Sequence, residues 1–192
     1  MSSVVIAGNT SGSVTLSAPD VAGTTTLTLP STSGTVVTTN TMPTGSVLQV
    51  LSTSKTDTYV TTSGTFGAIT GLSVTITPSS ASNKILVIVN FGTLSSDNNA
   101  DIGIDIYRGA TQLTVGSGGS NTNCTFIPAM NTPATNSASS SFTLLDSPST
   151  TSSTDYKIRC MINSGRTLYL NRRASDFSYA CISAVTLMEI KG

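Results

Sequence analysis

Three oxygen-bearing side chains stand at alternate positions in DNNADIG (97–103): Asp97, Asn99 and Asp101. Calcium prefers oxygen ligands, and this alternation is how an EF-type loop begins. The loop is not completed. Its sixth position is Ile102 where a glycine makes the sharp turn, Gly103 comes seventh, and the twelfth is Arg108 rather than a bidentate glutamate. The competing role is a polar lead into a strand starting at 101, and no cofactor is expected. The pair Arg172-Arg173 is the only place where two basic residues adjoin. Guanidinium forks hold carboxylates or phosphates, such as those of a surface polysaccharide. More often such a pair is solvated or pairs with a neighbour such as Asp176. Sugar recognition also enlists aromatic platforms, but there is no Trp and aromatic content is 5%. Tyr107 and Tyr169 fall in predicted strands and read as core or interface. Tyr59 and Tyr179 are the candidates for exposure, giving a candidate receptor-binding set of Tyr59, Tyr179, Arg172 and Arg173.

Hydrolytic chemistry has little to work with. The chain has no histidine, which excludes Ser-His-Asp and Cys-His nucleophile systems and His-based metal sites. Asp101 and Asp105 are spaced as outward strand residues, and the single glutamate, Glu189, lies in the last predicted strand, so no glycosidase pair is evident. Cys124, Cys160 and Cys181 are odd in number and widely spaced. They read as reduced, buried small hydrophobes, with a Cys160–Cys181 bridge between neighbouring strands as the alternative. Sequons at Asn9 and Asn123 are expected by chance in so Thr-rich a chain. The protein is not expected to be an enzyme.

Composition says what surrounds these residues. Charged side chains are 9% of 192 residues, against the ~25% of an ordinary soluble domain. Ser (31) and Thr (34) replace them, and Thr is β-branched and suited to strands. Hydrophobic residues are 38% and the net charge is zero, which argues against disorder. Nine basic against nine acidic residues leave no footprint for nucleic acid or anionic lipid. No run approaches the ~20 apolar residues of a membrane span. VVIA (4–7) is too short for the core of an export signal, so delivery outside a cell would be in or on a particle.

Glycines recur every 11 residues at Gly12, Gly23, Gly34 and Gly45, each followed by Ser or Thr, and Pro19 and Pro30 keep the same interval. Strands are predicted near 3–6, 13–17, 25–29 and 35–38. A unit this short cannot bury a face alone and must stack or wrap around partners. Before Lys55 the only charged side chain is Asp20, so residues 1–44 read as an extended repeat arm that docks at little desolvation cost.

Residues 45–192 read as a β-sandwich of jelly-roll or Greek-key topology. Strands are predicted over 46–51, 57–62, 66–77, 84–94, 101–108, 111–116, 123–127, 140–145, 154–162, 166–171 and 180–190, with polar loops at 128–141 and 146–155. ILVIVNF (85–91) is apolar on both faces, as a central strand should be. Its Ile85, Val87, Val89 and Phe91 are assigned to the core with Ile158, Ile162 and Leu168. DIGIDIYR (101–108) alternates, and RGATQL turns tightly at Gly109-Ala110 into a hairpin. No segment carries a helical period with caps.

The opening VTLSAPDVAGTTTLTLPSTSGTVVTT resembles the arm of many structural proteins of tailed bacteriophages, marine and cyanobacterial ones especially. ITPSSASNKILVIVNF, IYRGATQL, SSTDYKIRCMINSGRTLYLNR and ISAVTLMEIKG resemble the compact terminal domain of the same virion proteins. The resemblance implies a virion fibre or decoration protein, usually a homotrimer, exposed on the particle surface, with a head of the complement/tumour-necrosis-factor type. Its expected partners are itself, other capsid or tail proteins, and a host surface glycan or protein. Two readings compete: an adhesive head on an anchored arm, or a cement protein that stabilises the capsid without a receptor.

Overall fold

A computed structural model describes residues 3–192 except 18–19, 22, 25, 27, 29–30, 35–36, 38–41, 98–99, 114–115, 117–123, 128–137 and 164. The chain divides into two compact units, Met1–Asn40 and Thr41–Gly192. Among the described residues there are twelve strands and no helix, and the architecture is all-β.

In the first unit β1 (Ser3–Ala7) pairs antiparallel with β2 (Ser13–Ser17), setting Val4 opposite Leu16 and Ile6 opposite Val14. Gly12 closes the turn: its carbonyl accepts from Gly8 N at 2.8 Å, and its φ of 77° is one that side-chain-bearing residues rarely adopt. Gly23 and Gly45 share that left-handed conformation, whereas Gly34 does not. The strands expected at 25–29 and 35–38 fall largely outside the described residues.

The second unit is built from two sheets. β3 (Val47–Lys55), β12 (Ser183–Ile190), β6 (Lys84–Ser96), β11 (Leu168–Leu170) and β4 (Tyr59–Thr61) lie in that order, with β9 (Ala138–Asp146) also on β6. Leu94 of β6 pairs with Leu170 on one side and Ala138 on the other, so β9 and β11 flank opposite edges. The second sheet runs β5 (Gly67–Ile76), β10 (Thr154–Ile162), β7 (Ile102–Arg108), β8 (Thr111–Leu113). All pairings are antiparallel and nested: early strands sit beside late ones, β3 by β12 and β5 by β10.

Period-2 alternation explains the core. Ile85, Val87, Val89 and Phe91 of β6 face Ile102, Ile104 and Ile106 of β7 and Tyr156, Ile158, Cys160 and Ile162 of β10 in one buried cluster, joined by Leu168 and Leu170. Two regions differ from expectation. The stretch 138–141 continues β9 rather than extending the polar loop, because Ser140 and Ser141 pair with Phe91 and Asn90. Among the described residues of 123–127, the one ladder contact is the bridge between Phe126 and Ile104.

Both ends of the sandwich are closed by buried polar groups. At the end of β12, Glu189 accepts from Gln49 Nε2 (2.6 Å), Ser79 N (2.7 Å), Ser79 Oγ (2.8 Å) and Asn83 Nδ2 (2.5 Å). Burial pushes its pKa up, but these donors outweigh burial and hold it below the ordinary glutamate value. At the start of β12, Asn171 takes a φ of 62°, tolerated by its short polar side chain. Its amide donates to the carbonyls of Lys55 (2.8 Å) and Asp57 (3.0 Å) and accepts from Ser183 Oγ (2.6 Å).

Candidate functional site

The loop after β11 gathers three of the four candidate receptor-binding residues, Arg172, Arg173 and Tyr179. Asn171 fixes its base: Asn171 N donates to Thr93 O, and Cys181 N returns to Asn171 O. One residue further on, Arg172 bridges to Ala180, so the chain leaves and rejoins the sandwich at nearly one point. Inside the loop Asp176 is the organiser. Its carboxylate accepts from Ser178 N (2.9 Å) and pairs with Arg173 Nη2 (2.5 Å), which hold its pKa down to about 2.

Three rings and two guanidiniums meet here or close by. The Arg172 guanidinium carbon lies 3.4 Å from the Phe177 ring centre and 4.8 Å from that of Tyr169, and Arg173 lies 4.7 Å from Tyr179. These are cation–π distances, and they restrain side chains that would otherwise be mobile. Phe177 is nonetheless 72% exposed and Tyr179 62%. Arg172 differs from Arg173 in one respect. Its Nε donates to Arg173 O at 2.9 Å, but no carboxylate lies within ion-pair distance among the described residues.

Tyr59 does not join this surface. β4 alternates, so Tyr59 and Thr61 turn toward Leu170 and Leu168 while Val60 points out; Tyr59 is half-buried against the core. Burial raises its pKa, with Cys160 close by. The outward tyrosine of the pair is Tyr169, opposite Val60. Of the oxygen ligands, Asn99 lies outside the described residues. Asp97 Oδ1 accepts from Thr167 N (3.0 Å) and Asp101 Oδ2 from Asn163 Nδ2 (3.2 Å), so both tie down neighbouring turns. Among the described residues no three His, Cys, Asp or Glu side chains gather as a metal site. The cysteines are free: Cys160 faces the core, where burial pushes its thiol up to about 12, and Cys181 accepts from Thr93 Oγ1 at 3.0 Å.

The outward faces of the sheets were not anticipated as distinct surfaces. On the sheet of β6, outward residues form rows across four strands: Val50–Met188–Leu86–Leu145, then Ser52–Thr186–Ile88–Thr143, then Ser54–Ala184–Asn90–Ser141. No charge occurs in these rows. Val50 is 51% and Leu145 50% exposed. On the opposite sheet the outward residues are charged and mutually paired. Arg159 stands across from Asp105 (3.7 Å) and stacks on Tyr107 (4.2 Å), and Lys157 pairs with Asp155 (3.2 Å). Asp105 is 1% exposed and its Oδ1 has no hydrogen-bond partner; desolvation raises its pKa to about 6 despite Arg159.

Compared with protein-family models and with the sequences of characterised proteins, the chain matches none.

Proposed function

We propose that the protein is a homotrimeric structural protein of a tailed-phage particle, anchored by its N-terminal arm and presenting its sandwich outward as an adhesive head. The observation that carries this reading is the set of three charge-free rows on the outer face of β3, β12, β6 and β9, with Lys84 as the charge at their margin. A row of four apolar side chains crosses these four strands, and covering that row desolvates no charge. The nested pairing of β3 with β12, β5 with β10, β6 with β9 and β7 with β8 supports a jelly-roll reading, and three such sheets around a common axis would bury these faces on one another, as the resemblance to complement/tumour-necrosis-factor heads implies. The arm supports the same reading. An isolated two-stranded hairpin is marginal in water, and Val4, Ile6, Val14 and Leu16 are all exposed on β1 and β2, so this hairpin needs another surface. The aromatic loop favours an adhesin over a cement protein without a receptor.

Sedimentation of the full-length chain at micromolar concentration should give three copies of the 19.6 kDa chain. A monodisperse monomer overturns the trimer. Antibody against the head should label the surface of particles made by the phage that encodes the chain, and unlabelled particles would remove the virion assignment.

A further inference from the structure

Five of the nine cationic side chains have a carboxylate within 4 Å: Lys55, Arg108, Lys157, Arg159 and Arg173. Of the remaining four, only Arg172 is stacked on rings. The contrast with Arg159 is instructive. Arg159 also lies over two rings, Tyr107 and Phe66, but it is closed: its guanidinium faces Asp105 and donates to Phe66 O at 2.7 Å. Arg172 has the same aromatic support without the acid. Only its Nε is engaged, and its terminal Nη atoms bond to none of the described residues.

Its surroundings are built and open together. Phe177 is mostly in water although an exposed phenyl gains nothing from solvent, and the loop that carries it is stapled at both levels, by Asn171 at the base and Asp176 within. A rigid aromatic with few rotors is an efficient contact surface, because little conformational freedom is lost when something lands on it. A guanidinium fork wants a planar anion, and a carboxylate fits it bidentately. The free face of a phenyl ring wants an apolar surface of similar size, which the C–H face of a pyranose ring supplies. A sugar carboxylate combines both within one residue. A protein partner would call for roughly 800 Å² per side, whereas this cluster is a few side chains on β11 and the loop after it.

We infer that Arg172, Tyr169, Phe177 and Tyr179 form a binding site for acidic sugars, with Arg172 taking the carboxylate of a uronate or sialate residue and Phe177 taking its ring. The inference rests on the adhesive-head reading and names the class of receptor. Arg173 is a positioning residue: paired with Asp176 and stacked on Tyr179, it fixes the loop's shape.

The test titrates the full-length protein with oligomers of galacturonate, of mannuronate and guluronate, and of sialic acid, each beside its methyl ester, and with polyglutamate. Binding is read by calorimetry and by shifts of the Phe177 and Tyr179 ring resonances. At least one acid oligomer should bind and move those resonances, and its ester should bind at least tenfold more weakly. Arg172→Lys keeps the charge but loses the fork and should weaken binding about tenfold, while Arg166→Lys, the ionic control, should not. Binding by none of the acids, equal binding of acid and ester, or indifference to Arg172→Lys overturns the inference. Equal or tighter binding of polyglutamate overturns the sugar assignment in favour of an acidic peptide. Sedimentation of each variant keeps the two readings apart. A trimer that binds no acidic sugar loses only this site, and a monomer that binds one loses only the trimer.

Discussion

Along the outer face of the β6 sheet, neighbouring side chains are Val50, Met188, Leu86 and Leu145. Along the outer face of the β10 sheet they are Arg159 beside Asp105, Lys157 beside Tyr107 and Met161 beside Gly103. Both sheets alternate with the same period and contribute to one core, so folding places the same demand on their inward residues. The outward residues are free to differ, and they differ in what water does for them. On the charged face each cation has its acid nearby: the Lys157–Asp155 pair remains half in solvent at little gain or cost, whereas Arg159 lies over the buried Asp105. In the row Val50–Met188–Leu86–Leu145 no side chain profits from water, and the rows beside it carry hydroxyls and an amide but no charge. Covering that row releases ~25 cal/mol for every Å² of apolar surface removed.

The largest effect comes from disrupting the core that the two faces share. Val87 is fully buried, flanked by Leu187 on β12 and Leu144 on β9. Val87→Asp buries a carboxylate without a partner and should cost several kcal/mol, a large part of the ~5–15 kcal/mol that holds a domain together. Loss of the β-sheet circular dichroism at 25 °C is the expected result. Melting within a few degrees of the parent would mean that position 87 is not in the core.

The next variant separates the faces. Met188→Asp sets a charge in the middle of the apolar row, on a half-exposed residue that the single chain does not need for its core. Its β-signal should survive while the sedimenting species falls from trimer to monomer. Lys157→Glu, on the charged face, should leave the trimer unchanged. A Met188→Asp trimer as tight as the parent would show that this face is not the interface.

The run 85–91 shows how much of this was legible. Its apolar residues on both faces mark a central strand, and β6 does lie between β12 and β9, with Ile85, Val87, Val89 and Phe91 in the core. The same run holds Leu86 and Ile88 on the other face, only half-buried in one chain. Two apolar faces suggested a strand covered on both sides, but the single chain covers one. The tyrosines were harder. Tyr59 and Tyr169 sit opposite Leu170 and Val60 in a three-residue ladder, and in so short a strand nothing in the sequence says which parity is inward. Asp105 has the spacing of a solvated strand residue and lies on the outward face, yet it is buried, with the Arg159 guanidinium and the Gln112 amide beside its carboxylate. Asn171 carried no signal except being an Asn, a residue type that accepts left-handed backbone.

The smallest effects come from two buried carboxylates whose pKa values move in opposite directions. Glu189 is held below its ordinary value by its donors, so it contributes stability above that value and loses it as pH falls through the folded pKa. Glu189→Gln leaves at least one donor facing an amide N–H and should cost about 1–3 kcal/mol at pH 7. Asp105 has a folded pKa of about 6 against an ordinary 3.8. Between those values the folded chain holds a proton that the unfolded chain has released, so this group's contribution worsens as pH rises from about 4 to about 6 and then stays unfavourable. Asp105→Asn removes the ionisation while keeping the shape. It should raise stability by about 1 kcal/mol at pH 8, because a partner-poor buried charge is costly even beside a cation, and by almost nothing at pH 4, where the wild-type group is already neutral. Urea midpoints at both pH values check this directly. A variant less stable than the parent at pH 8 would mean that the Arg159–Asp105 attraction exceeds the cost of burying Asp105, and that the charged face, like the apolar one, is held by what lies on its surface.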